Sequence, residues 1–262
     1  MAGIVTEGAA EVAAILAGWF DQATLVGLGE AHLTPKVMRT LSELILSEAI
    51  ASRCQDLVVE FGCQRHQALL DAYLAGGRLG AGALKPIWSD GPHATLWRHP
   101  VYVALLRRLR AVNRHRPAQR RMRVWLAEPL GDWPCAERDG HRRKAFLDCI
   151  EKRLLATGRP GLLLFGMRHL ARSPVDGRAT LASQLLDSGV ALRTLWPELP
   201  PRLTPFDSPC RGLELIDVEG DLAARRVNPW GGEAQPLGEL CDAVLRVPGA
   251  RRETRCRGPD PA

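Results

Sequence analysis

The chain has 262 residues, of which 46% are hydrophobic and 24% charged, and its formal net charge is +6. This composition is typical of a soluble domain with a sizeable core and excludes disordered and fibrous classes. No stretch approaches the roughly 20 uninterrupted apolar residues that a membrane helix needs. Met1 to Phe20 also lacks the basic segment of a secretory signal. We therefore expect a cytoplasmic protein that contacts no membrane.

Cysteine and arginine usage narrows the expected partners. The seven cysteines are odd in number and scattered, without a C-x-x-C pair, so neither a disulfide framework nor a structural zinc site is predicted. The densest basic run, Arg107 to Arg123, is interleaved with leucine and valine at helical spacing. We interpret it as the solvated face of an amphipathic helix rather than a nucleic-acid surface. The expected partner is a small-molecule substrate, and no oligomeric state is indicated.

In chain order, short apolar runs alternate with stretches of helical periodicity. Strands are predicted at Thr24–Leu28, Asp56–Phe61, Met122–Ala127, Gly161–Phe165, Val190–Leu195, Leu213–Val218 and Ala243–Val247. Helices are predicted at Ala9–Trp19, after Pro35, at Arg65–Leu74, through the arginine-rich run, at Arg142–Ala156 and at Ala179–Leu186. The least regular stretch, Arg78 to His99, is interpreted as a long loop or a lid-like insertion.

This alternation predicts an α/β fold. A single domain over residues 1–248 would hold a mostly parallel or mixed central sheet, flanked by helices on both faces. The charged, proline-bearing residues 249–262 are predicted to form a disordered tail.

The strongest functional signal lies where the predicted strands end. Two apolar runs are each followed by Gly-x-x-His, which places Glu30 and His32 behind the first strand and His169 behind the fourth. The second strand ends in Glu60. In an α/β protein, chemistry is usually presented just past buried strands. We expect at least three of these four side chains to share one cleft, with Glu60 arriving from the neighbouring strand end if the first two strands pair in parallel.

These residue types suit acid–base or metal chemistry. A carboxylate beside an imidazole favours the protonated ring or orients the neutral one. One histidine can then act as a general base, while the second histidine or an acid donates a proton. The same four groups are also ligands for a divalent metal ion. The alternative is structural, with loop histidines bonded to backbone and an acid at a helix N-terminus.

Weaker candidates surround this set. Arg39, on the helix after His32, is predicted to point toward the site, with an exposed arginine as the alternative. Trp88 and Trp97 either wall a hydrophobic pocket or pin the irregular stretch to the core. His93 lies between them and would enter the site if the stretch acts as a lid.

Several segments, taken in order, resemble the sequence motifs of a known protein family. They are VGLGEAH (Val26 to His32), DLVVEFGCQRHQALLDAYLAGG (Asp56 to Gly77), LWRHPVYVALLRRLRAVN (Leu96 to Asn113), GLLLFGMRHLA and PLGELCDAVLRVP. The set resembles the erythromycin esterase-like family and its clan, which includes haem-uptake proteins of the ChaN type and the Tiki/TraB metalloproteases. The resemblance covers most of the chain.

The resemblance implies an α/β sheet with the site at its strand ends. In the esterases the position of His32 is the base that activates water, and Glu60 and His169 complete the site. In the Tiki-type members such motifs hold a metal, which here implies Glu30, His32, Glu60 and His169 as ligands. The esterase motif Gly-Glu-Ala-Thr-His-Gly has one residue more than Gly-Glu-Ala-His-Leu-Thr here, so this chain is closer to the haem-uptake and Tiki branches.

The leading hypothesis is a hydrolase of an ester or amide bond, in which His32 is the principal base and a metal ion is an optional helper. One alternative is a non-catalytic protein that binds haem or a metal through the same histidines. Another is a catalytically inactive accessory protein of a biosynthetic pathway.

Overall fold

A seven-stranded sheet forms the centre of the computed structural model, which describes residues 8–90, 94–130, 135–198, 206 and 210–250. Its strands are β1 (Leu25–Glu30), β2 (Asp56–Cys63), β3 (Arg123–Glu128), β4 (Gly161–Gly166), β5 (Leu192–Pro197), β6 (Glu214–Asp217) and β9 (Ala243–Arg246). A short separate ribbon consists of β7 (Arg226–Val227) and β8 (Gln235–Pro236). The strand order in the main sheet is β3-β2-β4-β1-β5-β9-β6.

The pairing confirms the predicted fold class, a single α/β domain with a mostly parallel sheet. Within the main sheet, all pairs are parallel except β6 with β9. One expectation was wrong: β1 and β2 are not neighbours, because β4 lies between them and pairs with both. The chain therefore crosses over and returns to the centre of the sheet after β3, a topology that local apolar patterns do not specify.

Helices connect the strands and cover the sheet. They are α1 (Ala9–Gly18), α2 (Pro35–Leu46), α3 (Glu48–Arg53), α4 (Gln67–Leu74), α5 (Lys85–Ser89), α6 (Ala94–Trp97), α7 (Pro100–His115), α8 (Cys135–Arg153), α9 (Leu181–Asp187), α10 (Gly220–Ala224) and α11 (Leu237–Leu240). Proline suits the first turn of α2 and α7, since its missing N–H would be unpaired there in any case. Thr180 caps α9 by accepting a hydrogen bond from Ser183 N at 2.9 Å.

Two large core layers cover the sheet, one on each face, and a third, smaller cluster contains Trp196 and Val244. Alternate residues of β4 divide between them, with Leu162 and Leu164 in one layer and Leu163 and Phe165 in the other. The first layer packs against α1, α2 and α7, and the second packs against α8 and α9. Because both faces are covered, the central strands are continuously apolar instead of alternating. This is why single apolar runs predicted them well.

The irregular stretch Arg78 to His99 is not one long loop, because its described residues include α5 and α6. Trp88 and Trp97 are buried in the core layer that α7 also contacts, which favours the pinning role over an open pocket wall. His93 lies outside the described residues, as does most of the predicted tail, residues 251–262. Among the residues described, no helix combines the length and apolar character that a membrane crossing requires.

Candidate active site

The site forms at the carboxyl edge of the sheet, around the ends of β1, β2 and β4. Glu30 is the last residue of β1 and pairs in register with Gly166, the last residue of β4. The register between β2 and β3 shifts after Val59, so Glu60 lies at the start of a bulge. The four predicted residues Glu30, His32, Glu60 and His169 all line one cavity of about 620 Å³.

Glu30 and His32 form the first imidazole–carboxylate pair. Glu30 Oε2 lies 3.2 Å from His32 Nδ1, and Glu30 itself is buried. The phenolic hydroxyl of Tyr102, on α7, donates a hydrogen bond to Glu30 Oε1. The indole of Trp97 packs edge-on against the His32 ring, with ring centroids 4.9 Å apart. The ring is therefore held on one side by charge and on the other by aromatic packing.

This environment favours the charged form of His32. Burial opposes protonation, but the negative charge of Glu30, its hydrogen bond and the charge of Glu60 together outweigh burial. They raise the pKa of His32 from 6.5 to about 9. At neutral pH the ring is an imidazolium whose Nε2 has no hydrogen-bond partner among the described residues.

Glu60 and His169 form the second pair. Glu60 Oε1 lies 3.3 Å from His169 Nε2, and Glu60 Oε2 accepts a hydrogen bond from Gly166 N at 2.6 Å. Burial of Glu60 disfavours its charge, yet the charges of His169, His32 and Arg142 hold its pKa well below the usual range. Glu60 is thus a permanent carboxylate between two imidazoles.

A buried arginine completes the charge balance. Arg142 on α8 donates to Glu60 Oε1 at 2.7 Å and contacts both oxygens of Glu128, also at 2.7 Å. Burial disfavours the Arg142 charge, but its hydrogen bonds and ion pairs with Glu128 and Glu60 raise its pKa further above the ordinary value. Burial raises the pKa of Glu128, which is fully enclosed at the end of β3. Such two-pronged guanidinium–carboxylate contacts fix orientation as well as charge.

Gly166 is necessary for this geometry. A Cβ atom at this position would lie 3.0 Å from His32 Nε2 and 3.2 Å from Glu60 Oε2. Even an alanine at this position would require the His32 ring and the Glu60 carboxylate to shift by a few tenths of an ångström. The glycine that the sequence presents as a strand boundary also allows two charged groups to approach the end of β4.

The structure brings together four of the five predicted site residues and leaves out Arg39. Arg39 is exposed on α2 and does not line the cavity. The helix turns its neighbours Val37 and Met38 into the core, so Arg39 faces away from it. Sequence reasoning missed Tyr102, Glu128 and Arg142. Glu128 had a signal, since it follows an apolar run as Glu60 does. Tyr102 and Arg142 had a weaker signal, because each lies on the apolar stripe of its helix, four residues before Leu106 and Phe146 respectively.

The donor set does not fit a metal ion. No group of three or more histidine, cysteine, aspartate or glutamate side chains within the described part of the chain is arranged to hold one. The oxygens of Glu60 already accept hydrogen bonds from Gly166 N and Arg142, and the Arg142 guanidinium also binds Glu128. A cation there would meet a fixed positive charge. We therefore assign no step to a metal, and haem binding stays a prediction.

Comparisons with known proteins bear on the fold. A scan against protein-family models and a search of curated proteins found no match. The structure is similar to the erythromycin esterase EreC in its open conformation, with a TM-score of 0.62 and 13% identity, covering 91% of this chain and 94% of that chain. A protein from Bacillus cereus aligns with a TM-score of 0.57 and 11% identity, over 95% of this chain and all of the other.

The haem-binding ChaN of Campylobacter jejuni aligns less well, with a TM-score of 0.45 and 13% identity over 90% of each chain. At these identities a structural likeness shows the fold and not the activity. The resemblance predicted from the sequence is confirmed at that level: this chain has the fold of erythromycin esterase.

Proposed function

We propose that this chain hydrolyses an ester or amide bond of a small molecule. The observation that carries the proposal is the double imidazole–carboxylate arrangement at one cavity. His32 and His169 each face a buried carboxylate through one ring nitrogen. The other nitrogen of each ring has no protein partner among the described residues. Hydrolysis needs one group that accepts a proton from water and one that donates a proton to the leaving group.

The charges of the two pairs suggest which histidine takes which role. The pKa of His32 near 9 leaves its proton in place at neutral pH, which suits an acid better than the base expected from the sequence. Its Nε2–H can stabilise the oxyanion that develops on an attacked carbonyl. His169, oriented by Glu60, then serves as the base.

The proposed reaction uses water as the nucleophile. His169 accepts a proton from water while the water oxygen forms a bond to the carbonyl carbon. The electron pair of the carbonyl double bond moves to the carbonyl oxygen, which lies beside the His32 imidazolium. When the tetrahedral intermediate collapses, the bond to the leaving oxygen or nitrogen breaks and His32 gives that atom its proton. Exchange with solvent returns one proton to His32 and removes one from His169. Arg142 takes no part in proton transfer; it keeps Glu60 charged and oriented.

Hydrolysis of para-nitrophenyl and anilide panels by the purified chain tests the proposal. We expect His32→Gln and His169→Gln each to lower the rate by about 10²- to 10⁴-fold, the usual contribution of a general acid or base. His115→Gln, at the exposed end of α7, is the matched control and should keep the wild-type rate. Circular dichroism would confirm that every variant is folded. Wild-type rates in both site variants would refute the proposal.

The pH profile tests the division of roles. If His32 is the acid, the rate must fall as the pH rises through about 9, where its ring loses the proton. A rate that instead rises through this pH would make His32 the base. Because the donor set does not fit a metal, a chelator should leave the rate unchanged, and restoration by a divalent metal after chelation would contradict this.

A further inference from the structure

The mouth of the cavity carries positive charge that the proposed chemistry does not use. Arg143, Arg168 and Arg178, which we call the arginine rim, all line it, with Asp139 beside them. Arg168 is paired with Asp176 at 2.8 Å. The side chains of Arg143 and Arg178 have no ion pair or hydrogen bond within the described part of the chain. Two unpaired guanidinium groups thus border the same opening.

The backbone holds the arginine rim in place. Val175 N donates to Arg178 O at 2.9 Å, and Arg178 N donates to Val175 O at 3.0 Å. Between them Asp176 and Gly177 have φ values of 51° and 69°, the left-handed conformation of a tight two-residue turn. Asp176 of this turn is also the ion-pair partner of Arg168, so the same turn carries Arg178 and contacts Arg168.

The backbone that carries Arg143 is also anchored. Arg143 follows the buried Arg142 on α8, so its backbone is anchored by the ion pairs of its neighbour. The guanidinium of Arg168 lies over the ring of Trp230, 5.6 Å from its centroid, and Trp230 also lines the cavity. Trp230 therefore gives the cavity an aromatic wall on which the Arg168 guanidinium stacks.

We propose that the arginine rim binds an oxyanionic group, a carboxylate or phosphate, that the substrate carries away from its scissile bond. This inference rests on the proposed hydrolase function and names the substrate class for the same cavity. Planar guanidinium groups present forked donors that match carboxylate and phosphate oxygens. Two guanidinium groups without a partner among the described residues attract anionic ligands to this opening, and the net charge of +6 acts in the same direction.

Two esters that differ only at one end test the inference. The first is the para-nitrophenyl monoester of adipic acid, whose free end is a carboxylate; the second has a terminal carboxamide instead. The adipoyl chain is long enough that its own carboxylate attacks the ester inefficiently. We expect wild-type kcat/KM to be about tenfold or more higher for the carboxylate ester, as charged hydrogen bonds typically provide.

Substitutions assign that preference to residues. Arg143→Gln and Arg178→Gln should each lower kcat/KM for the carboxylate ester, mainly through KM, and leave the carboxamide ester unaffected. Arg107→Gln, which removes the same charge from the exposed surface of α7, should leave both esters unaffected. Equal kcat/KM for the two esters in the wild type would overturn the inference. So would a preference for the carboxylate ester that persists when Arg143→Gln and Arg178→Gln are combined in one variant.

A binding experiment separates this inference from the proposed function. Ketones in which a methylene group replaces the ester oxygen of each compound have no scissile ester and can be titrated by calorimetry. If the chain cleaves neither ester but binds the carboxylate ketone about tenfold more tightly, and loses that difference in Arg178→Gln, the hydrolase proposal is wrong and the arginine rim is supported. Equal binding of the two ketones overturns the arginine rim whether or not the esters are cleaved.

Discussion

Replacing Glu30 by glutamine should change the proton equilibrium of His32. Glutamine keeps an oxygen that accepts from the Tyr102 hydroxyl but removes the negative charge beside His32 Nδ1. Glu30 is the strongest influence that raises the pKa of His32, whereas burial lowers it. In Glu30→Gln burial is therefore opposed mainly by Glu60. We expect the pKa of His32 to fall from about 9 to about 6.5 or below.

The size of the effect follows from the same values. A pKa raised from 6.5 to about 9 means that the folded protein favours the imidazolium by roughly 3 kcal/mol. The His32 side chain is 28% exposed, so solvent screening makes this an upper estimate. Because the folded value is the higher one, this stability is fully present below about pH 6.5 and is lost as the pH rises through about 9. In Glu30→Gln that loss should be nearly absent.

Two measurements check this expectation. Histidine carbon–proton NMR spectra recorded against pH give the pKa directly, and His32→Gln identifies the signal. Urea unfolding between pH 6.5 and 9.5 gives the accompanying change in the free energy of unfolding, with Glu43→Gln as a control that removes an exposed charge elsewhere. If the His32 pKa in Glu30→Gln stays within about one unit of the wild-type value, the assignment of Glu30 as its main charge partner is wrong.

Three further substitutions probe the architecture. Gly166→Ala should fold but lose most activity, because its Cβ would lie 3.0 Å from His32 Nε2; a wild-type rate would contradict the close approach. Arg142→Met should destabilise by about 3–5 kcal/mol in urea unfolding, since it strands buried carboxylates, and a loss below about 1 kcal/mol would show that the ion pairs are dispensable. Tyr102→Phe should lower the free energy of unfolding by about 1–3 kcal/mol, because it removes the hydroxyl that donates to Glu30 Oε1; an unchanged free energy of unfolding would show that this hydrogen bond does not stabilise the fold.

Local sequence patterns predicted the elements of this fold well, for a physical reason. Strands covered on both faces must be apolar throughout, so β1, β2 and β4 stand out as uninterrupted runs. Chemistry in an α/β protein appears where such runs stop, and that rule located Glu30, His32, Glu60 and His169 without any knowledge of their contacts.

The partners of these residues were beyond the reach of local patterns. Tyr102 is 72 residues from Glu30, and Arg142 is 82 residues from Glu60. Both lie on the apolar stripe of their helices, so the helical period marks them as buried but does not identify the carboxylate that each one contacts. Arg39 lies close to His32 along the chain, but the rotation of α2 turns it outward.

The position of β4 explains why two such pairs meet. Glu30 continues the alternation of Val26 and Leu28 and faces the layer that contains α7, where it finds Tyr102. Glu60 follows the alternation of Val58 and faces the layer of α8, where it finds Arg142. The two carboxylates therefore begin on opposite faces of the sheet, with β4 between their strands. They can serve one cavity only because β4 ends in a residue without a side chain, and His169 turns back over that end to reach Glu60. A site of this kind depends on the strand order as much as on the residues at the strand ends.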